Sequence, residues 1–105
     1  MVLLLTLLAC DTGPDPCEQL CERAAAQECG CLEQWGADWS DVGYASQEDY
    51  FQSCRIWAWE LRLLEEDAQQ QGLDAHCREW SRALRASPMR CDDWSAADWS
   101  EAPWE

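Results

Sequence analysis

The chain has 105 residues and a net charge of −14, from 21 acidic side chains against seven basic ones, all arginine. A surface so acidic repels nucleic acid and anionic lipid headgroups; it excludes phosphate-backbone binding and suits a basic or neutral partner, or plain solubility. After residue 10 only ten Leu, Ile, Val or Phe remain, a composition that ordinarily means disorder, but eight tryptophans and eight cysteines oppose it.

Residues 1–9 are uncharged and almost wholly apolar, and the run stops sharply at Cys10. Leu7-Leu8-Ala9-Cys10 resembles the lipobox of bacterial lipoprotein signal peptides, with an aliphatic residue three before the cysteine and a small one just before it. The resemblance covers the first ten residues and names a processing class, not a domain family. It implies that residues 1–9 are a signal peptide, that the chain is cut before Cys10, and that Cys10 receives a diacylglyceryl thioether. Two or three acyl chains hold a protein to a bilayer almost permanently. No Lys or Arg precedes the apolar run and only nine residues precede Cys10, so a shortened signal with its start upstream is expected. Asp11 resembles the inner-membrane retention signal of some Gram-negative bacteria. Residues 10–15 then read as a lipidated cysteine and tether. Asp11-Thr12-Gly13 also spells the aspartic-protease triplet, but that chemistry needs two such loops sharing a proton, and the sequence has one.

Asp15 as cap and Pro16 at the first helical position open a helix to about Glu28, with Gly30 as its stop. Cys17, Leu20, Cys21 and Ala24 form its apolar stripe. Residues 32–45 carry two glycines and no clear period, and read as a loop anchored by Trp35 and Trp39. The longest helix is expected from Ser46, with Asp49 completing a capping-box-like start, to a stop at Gly72. Tyr50, Cys54, Trp57, Leu61, Leu64 and Ala68 share one face, while Ile56, Trp59 and Leu63 make a second stripe. Two stripes predict neighbours on two sides. Asp74 caps a third helix to about Ala86, ended by Pro88, with Leu73, Cys77, Trp80 and Leu84 as its stripe. Residues 92–105 repeat Asp-Trp-Ser and space Trp94, Trp99 and Trp104 by five, which fits neither helix nor strand; they read as a flexible acidic tail.

The cysteines are the strongest signal. With Cys10 lipidated, Cys17, Cys21, Cys29, Cys31, Cys54, Cys77 and Cys91 remain, an odd number that allows at most three internal disulfides: either one thiol is free, or it bridges two molecules, or Cys10 is not lipidated and four bridges form. A helical hairpin turning at Gly72 brings Cys54 level with Cys91, which makes that pair the first expectation. Cys77 then faces Cys17 or Cys21, and Cys29 or Cys31 is left over. Cys17-x3-Cys21 resembles half of the twin Cys-x3-Cys hairpins of mitochondrial import substrates, but the second pair is missing. Cys29, Cys31, His76 and Cys77 have the donor types of a zinc site without its spacing, so neither metal nor cofactor is expected. His76, the only histidine, has no evident nucleophile or orienting carboxylate and is expected to face solvent in an early turn of the third helix. No catalytic residue is expected. The acidic run at residues 65–67 reads as a solvated face. Trp94, Trp99 and Trp104 are the candidate binding residues, because exposed indoles stack on sugars or dock in grooves.

The expectation is thus an all-α protein: a small three-helix, disulfide-stapled domain at residues 16–91 with an acidic Trp-rich tail. It is anchored by lipid in the bacterial cell envelope, facing the periplasm or exterior, as a structural or interaction module and not an enzyme. Its partners are the membrane and an unidentified protein or glycan, with no nucleic acid. A metal- or thiol-handling protein and a glycan-contacting module are the alternatives.

Overall fold

The computed structural model describes residues 15–64 and 67–97. Its elements are α1 (Pro16–Trp35), a 3-10 turn (Trp39–Val42), α2 (Gln47–Leu64), α3 (Asp67–Ala86) and α4 (Cys91–Ala96). The all-α, disulfide-stapled class therefore stands, with a short fourth helix added to the three expected.

Helix α1 begins as its sequence dictates. Asp15 is extended, and its carboxylate accepts from the Cys17 N–H at 2.8 Å and the Glu18 N–H at 3.3 Å. The helix does not stop at Gly30. Cys31 and Leu32 continue the buried stripe of Cys17, Leu20, Cys21 and Ala24, and the gain from burying them outweighs the ~1 kcal/mol that an interior glycine costs. The real stop is Gly36, whose φ of 68° lets the Ala37 and Gly36 N–H groups cap the Leu32 and Glu33 carbonyls. Residues 32–35 thus belong to α1, and the loop that follows tightens into the 3-10 turn. Trp39 and Tyr44 pack on Tyr50, with ring centroids 5.5 Å and 4.8 Å away, whereas Trp35 is largely exposed.

Helix α2 starts at the expected cap: the Asp49 N–H donates to Ser46 Oγ at 3.1 Å, and the Asp49 carboxylate accepts from the Ala45 N–H. It ends at Leu64, not Gly72, and Gly72 lies inside α3. Asp67, part of the acidic run, opens α3 instead of continuing α2. Asp74 is consequently no cap; it is an interior residue of α3.

Helix α1 is the hub. It makes the extensive contacts with both α2 and α3. Cys21 bonds Cys54 while Asp15 pairs with Arg62, so α1 and α2 run antiparallel. Cys17 bonds Cys77, and Cys31 bonds Cys91, so α3 and the segment after it run parallel to α1. The Cys77 expectation stands; the Cys54–Cys91 pairing is corrected to Cys21–Cys54 and Cys31–Cys91. Because α2 ends at Leu64 and α3 already begins at Asp67, the chain changes direction before Gly72, which brings Cys54 level with Cys77. Cys17 and Cys21, one turn apart on α1, then take one helix each.

The core is Leu20, Ala24, Ala25, Tyr50, Ala58, Leu73, Leu84 and Trp94 around these sulfurs, with Trp57, Leu61 and Trp80 packed at its edge. The side chains of Leu64 and Ala68 lie outside the described ones. Residues 87–90 are pinned to the middle of α1 by one side-chain amide. Gln27 donates to the Met89 carbonyl at 2.8 Å and accepts from the Met89 N–H at 2.9 Å, like a strand partner.

Candidate functional site

Trp94, expected on a loose tail, is a core residue. It is 4% exposed, and its indole N–H donates to Glu28 Oε1 at 2.6 Å. The Cys31–Cys91 disulfide sets α4 beside α1, and Asp92 and Asp93 in its first turn suit the helix dipole. Ordering these residues is repaid by a large apolar area and a satisfied indole, which composition alone does not reveal. Trp94 is therefore withdrawn as a binding candidate. Trp99 and Trp104 lie outside the described residues, as does Cys10.

Of the other seven cysteines, six are paired and Cys29 is the free, half-buried one. The donor set Cys29, Cys31, His76 and Cys77 is not available as such, because Cys31 and Cys77 are disulfide sulfurs. His76 is not solvent-facing: it is 8% exposed, with its ring edge-on to Trp80 at 6.4 Å. The earlier start of α3 moves it from an early turn to the middle of the helix, on the side of Leu73 and Cys77.

The structure instead draws attention to the start of α1. Arg62, near the end of α2, grips Asp15 with two nitrogens, Nη1 to Oδ2 at 2.7 Å and Nη2 to Oδ1 at 3.0 Å. Arg62 Nη2 also donates to Asp74 of α3. One guanidinium thus ties three helices together, in the bidentate geometry that suits arginine. Burial pushes the Asp15 carboxyl up, but hydrogen bonds from Arg62 and from the Cys17 and Glu18 N–H groups, with the Arg62 charge, outweigh it and hold it below the ordinary aspartate range. Burial likewise lowers Arg62, and its two carboxylate partners more than reverse that. Asp15, Cys17 and Asp74 place ligand-type atoms within 4.8 Å of one another. The Cys17 sulfur is bonded to Cys77 and both carboxylates are held by Arg62, so the cluster is an ion-pair clamp and not a donor set. Sequence reading finds Asp15 as a cap. Arg62 leaves no local signal, because its partners are 47 and 12 residues away.

Beside this clamp lies an open groove of about 310 Å³ between α1 and α2, lined by Asp15, Glu18, Arg55, Ile56, Trp59 and Arg62 among others. It borders the second stripe of α2. Ile56, Trp59 and Leu63 are 53%, 63% and 67% exposed. The expected second neighbour of α2 is absent among the described residues: α1 covers one face only, and Trp94 folds onto α1 rather than over this stripe. Glu18 and Arg55 approach to 3.8 Å across the groove, so its rim charges are paired. The groove is open to solvent along its length. It offers an apolar ridge with arginines at its border. Among the described residues, no helix is long and apolar enough to cross a membrane. No protein-family model matches the chain, and neither does any curated protein or solved structure.

Proposed function

We propose that this chain is a lipid-anchored protein of the bacterial cell envelope whose helical domain is a non-enzymatic structural or interaction module. The observation that carries the reading is Leu7-Leu8-Ala9-Cys10, with a polar tether after it. Three disulfides support it, since such bonds persist in oxidising compartments such as the periplasm. In this reading the acidic surface keeps the domain soluble above the membrane, and the thioether anchors it.

The test is the mass and fractionation of the native protein. A mature chain beginning at Cys10 and carrying lipid mass, found with membranes, is the expected result. Cys10→Ser should leave the chain uncut or release it into the soluble fraction. Native protein that retains Met1 and is soluble contradicts the reading.

A further inference from the structure

We propose that the exposed face of α2, Ile56, Trp59 and Leu63, rests on the surface of the bilayer that holds Cys10. The inference depends on the anchoring reading above and adds the orientation of the domain. Three large apolar side chains at helical spacings of three and four form one ridge, and all three are more than half exposed. A contiguous apolar ridge on a small protein marks an interaction surface.

The position of the tether says what covers it. Asp15 is the first described residue, it lines the groove beside Ile56 and Trp59, and it is held by Arg62, the neighbour of Leu63. Asp15 lies five positions after Cys10, with four residues between them, a span of at most about 17 Å when extended. An anchor at Cys10 therefore brings the ridge within reach of the lipid headgroups. A tethered face also binds at high effective concentration, so a patch too weak to hold alone is held. The side chains suit the boundary. Indole prefers the interface between headgroups and acyl chains, and Arg55 and Arg62 stand one turn to either side of Trp59 on the helix. Their carboxylate partners, Glu18, Asp15 and Asp74, cancel any net positive charge there. The lipid that fits is accordingly zwitterionic rather than anionic. A second copy of the chain fits less well, because two bodies carrying −14 each repel.

The experiment uses the mature lipidated protein reconstituted in phosphatidylcholine vesicles doped with acyl-brominated phosphatidylcholine, which quenches indoles at the interface. Quenching of the wild type, lost for the most part in Trp59→Phe and reduced in Ile56→Ser and Leu63→Ser, is the expected result; Trp35→Phe should change it little. Circular dichroism of each variant checks that the fold survives, as the exposure of these positions predicts. In a second arm, residues 2–9 are replaced by polyhistidine, Cys10 by serine, and the chain is held on nickel-chelating vesicles of the same lipid. If native Cys10 carries no lipid, the anchoring reading fails while this arm still reads the docking. A lipidated protein whose quenching is absent, or is indifferent to Trp59→Phe, overturns the docking alone. So does a dimer in vesicle-free sedimentation that Leu63→Ser dissolves, which would assign the ridge to a second copy.

Discussion

Trp94→Ala tests whether the domain ends at Cys91 or includes α4. A tryptophan buries roughly 150–250 Å², and Trp94 is almost completely covered. At ~25 cal/mol per Å² that is about 4–6 kcal/mol. The unfolded chain already hides some of this area, which lowers the figure to about 3–5 kcal/mol, within the ~3–5 kcal/mol range of measured Trp-to-Ala losses in cores. A domain of this size melts roughly 4–8 °C lower for each kcal/mol lost. The variant should therefore melt at least about 12 °C below wild type when oxidised protein is followed by far-ultraviolet circular dichroism. Cutting the chain after Asp92 should do comparable damage, since it removes the same side chain. Trp94→Phe keeps most of the packing and gives up the hydrogen bond to Glu28, so it should cost only ~1–2 kcal/mol. A melting temperature within about 4 °C of wild type for Trp94→Ala refutes the reasoning and returns α4 to a loose tail.

Gly30 sits in the middle of α1 with open space where a Cβ would be, so Gly30→Ala should raise stability by ~0.5–1 kcal/mol in a denaturant titration; a loss would mean that α1 is interrupted there. Gly36→Ala should do the opposite, by ~1–2 kcal/mol, because its left-handed φ of 68° penalises a side chain. The disulfides span 60, 33 and 60 residues, and loops of that length are each worth roughly 4 kcal/mol in the unfolded chain. Full reduction should hence unfold most of the helix, and peptide mapping should join Cys21 to Cys54 and leave Cys29 alkylatable; persistent helicity after reduction would show a self-sufficient core. Asp15 titrates below its unfolded value, so its contribution to stability is complete above about pH 4 and disappears as pH falls through the lower, folded value. Asp15→Asn should flatten that acid limb in melts taken across pH 2–5, and an unchanged limb would show that the Arg62 clamp contributes nothing to the pH dependence.

Much of this fold is decided by signals that span only a turn or two of chain. Asp15-Pro16 and Ser46 open their helices because a cap needs only a side chain and an N–H two or three residues on. The stripe Cys17, Leu20, Cys21 and Ala24, and its counterpart Leu73, Cys77 and Leu84, were legible for the same reason: helical period alone places them on one face, and all are buried. So was the all-α, disulfide-stapled class. The stripe even runs on through Cys31 and Leu32, but Gly30 between them outweighs it in a local reading, because only tertiary burial repays a glycine inside a helix. The tertiary structure decided the rest. Pairing depends on where the chain reverses, and a displaced reversal moves the inferred partner by twice the displacement, which is why a turn placed at Gly72 gave Cys54 the wrong partner. It also chose the hub. The longest apolar pattern lies in α2, yet α1 became the centre because Cys17, Cys21 and Cys31 each fix a different segment to it. The two stripes of α2 are indistinguishable by period. Only the docking of α1 on one of them, and of Trp94 on Glu28, leaves Ile56, Trp59 and Leu63 facing outward.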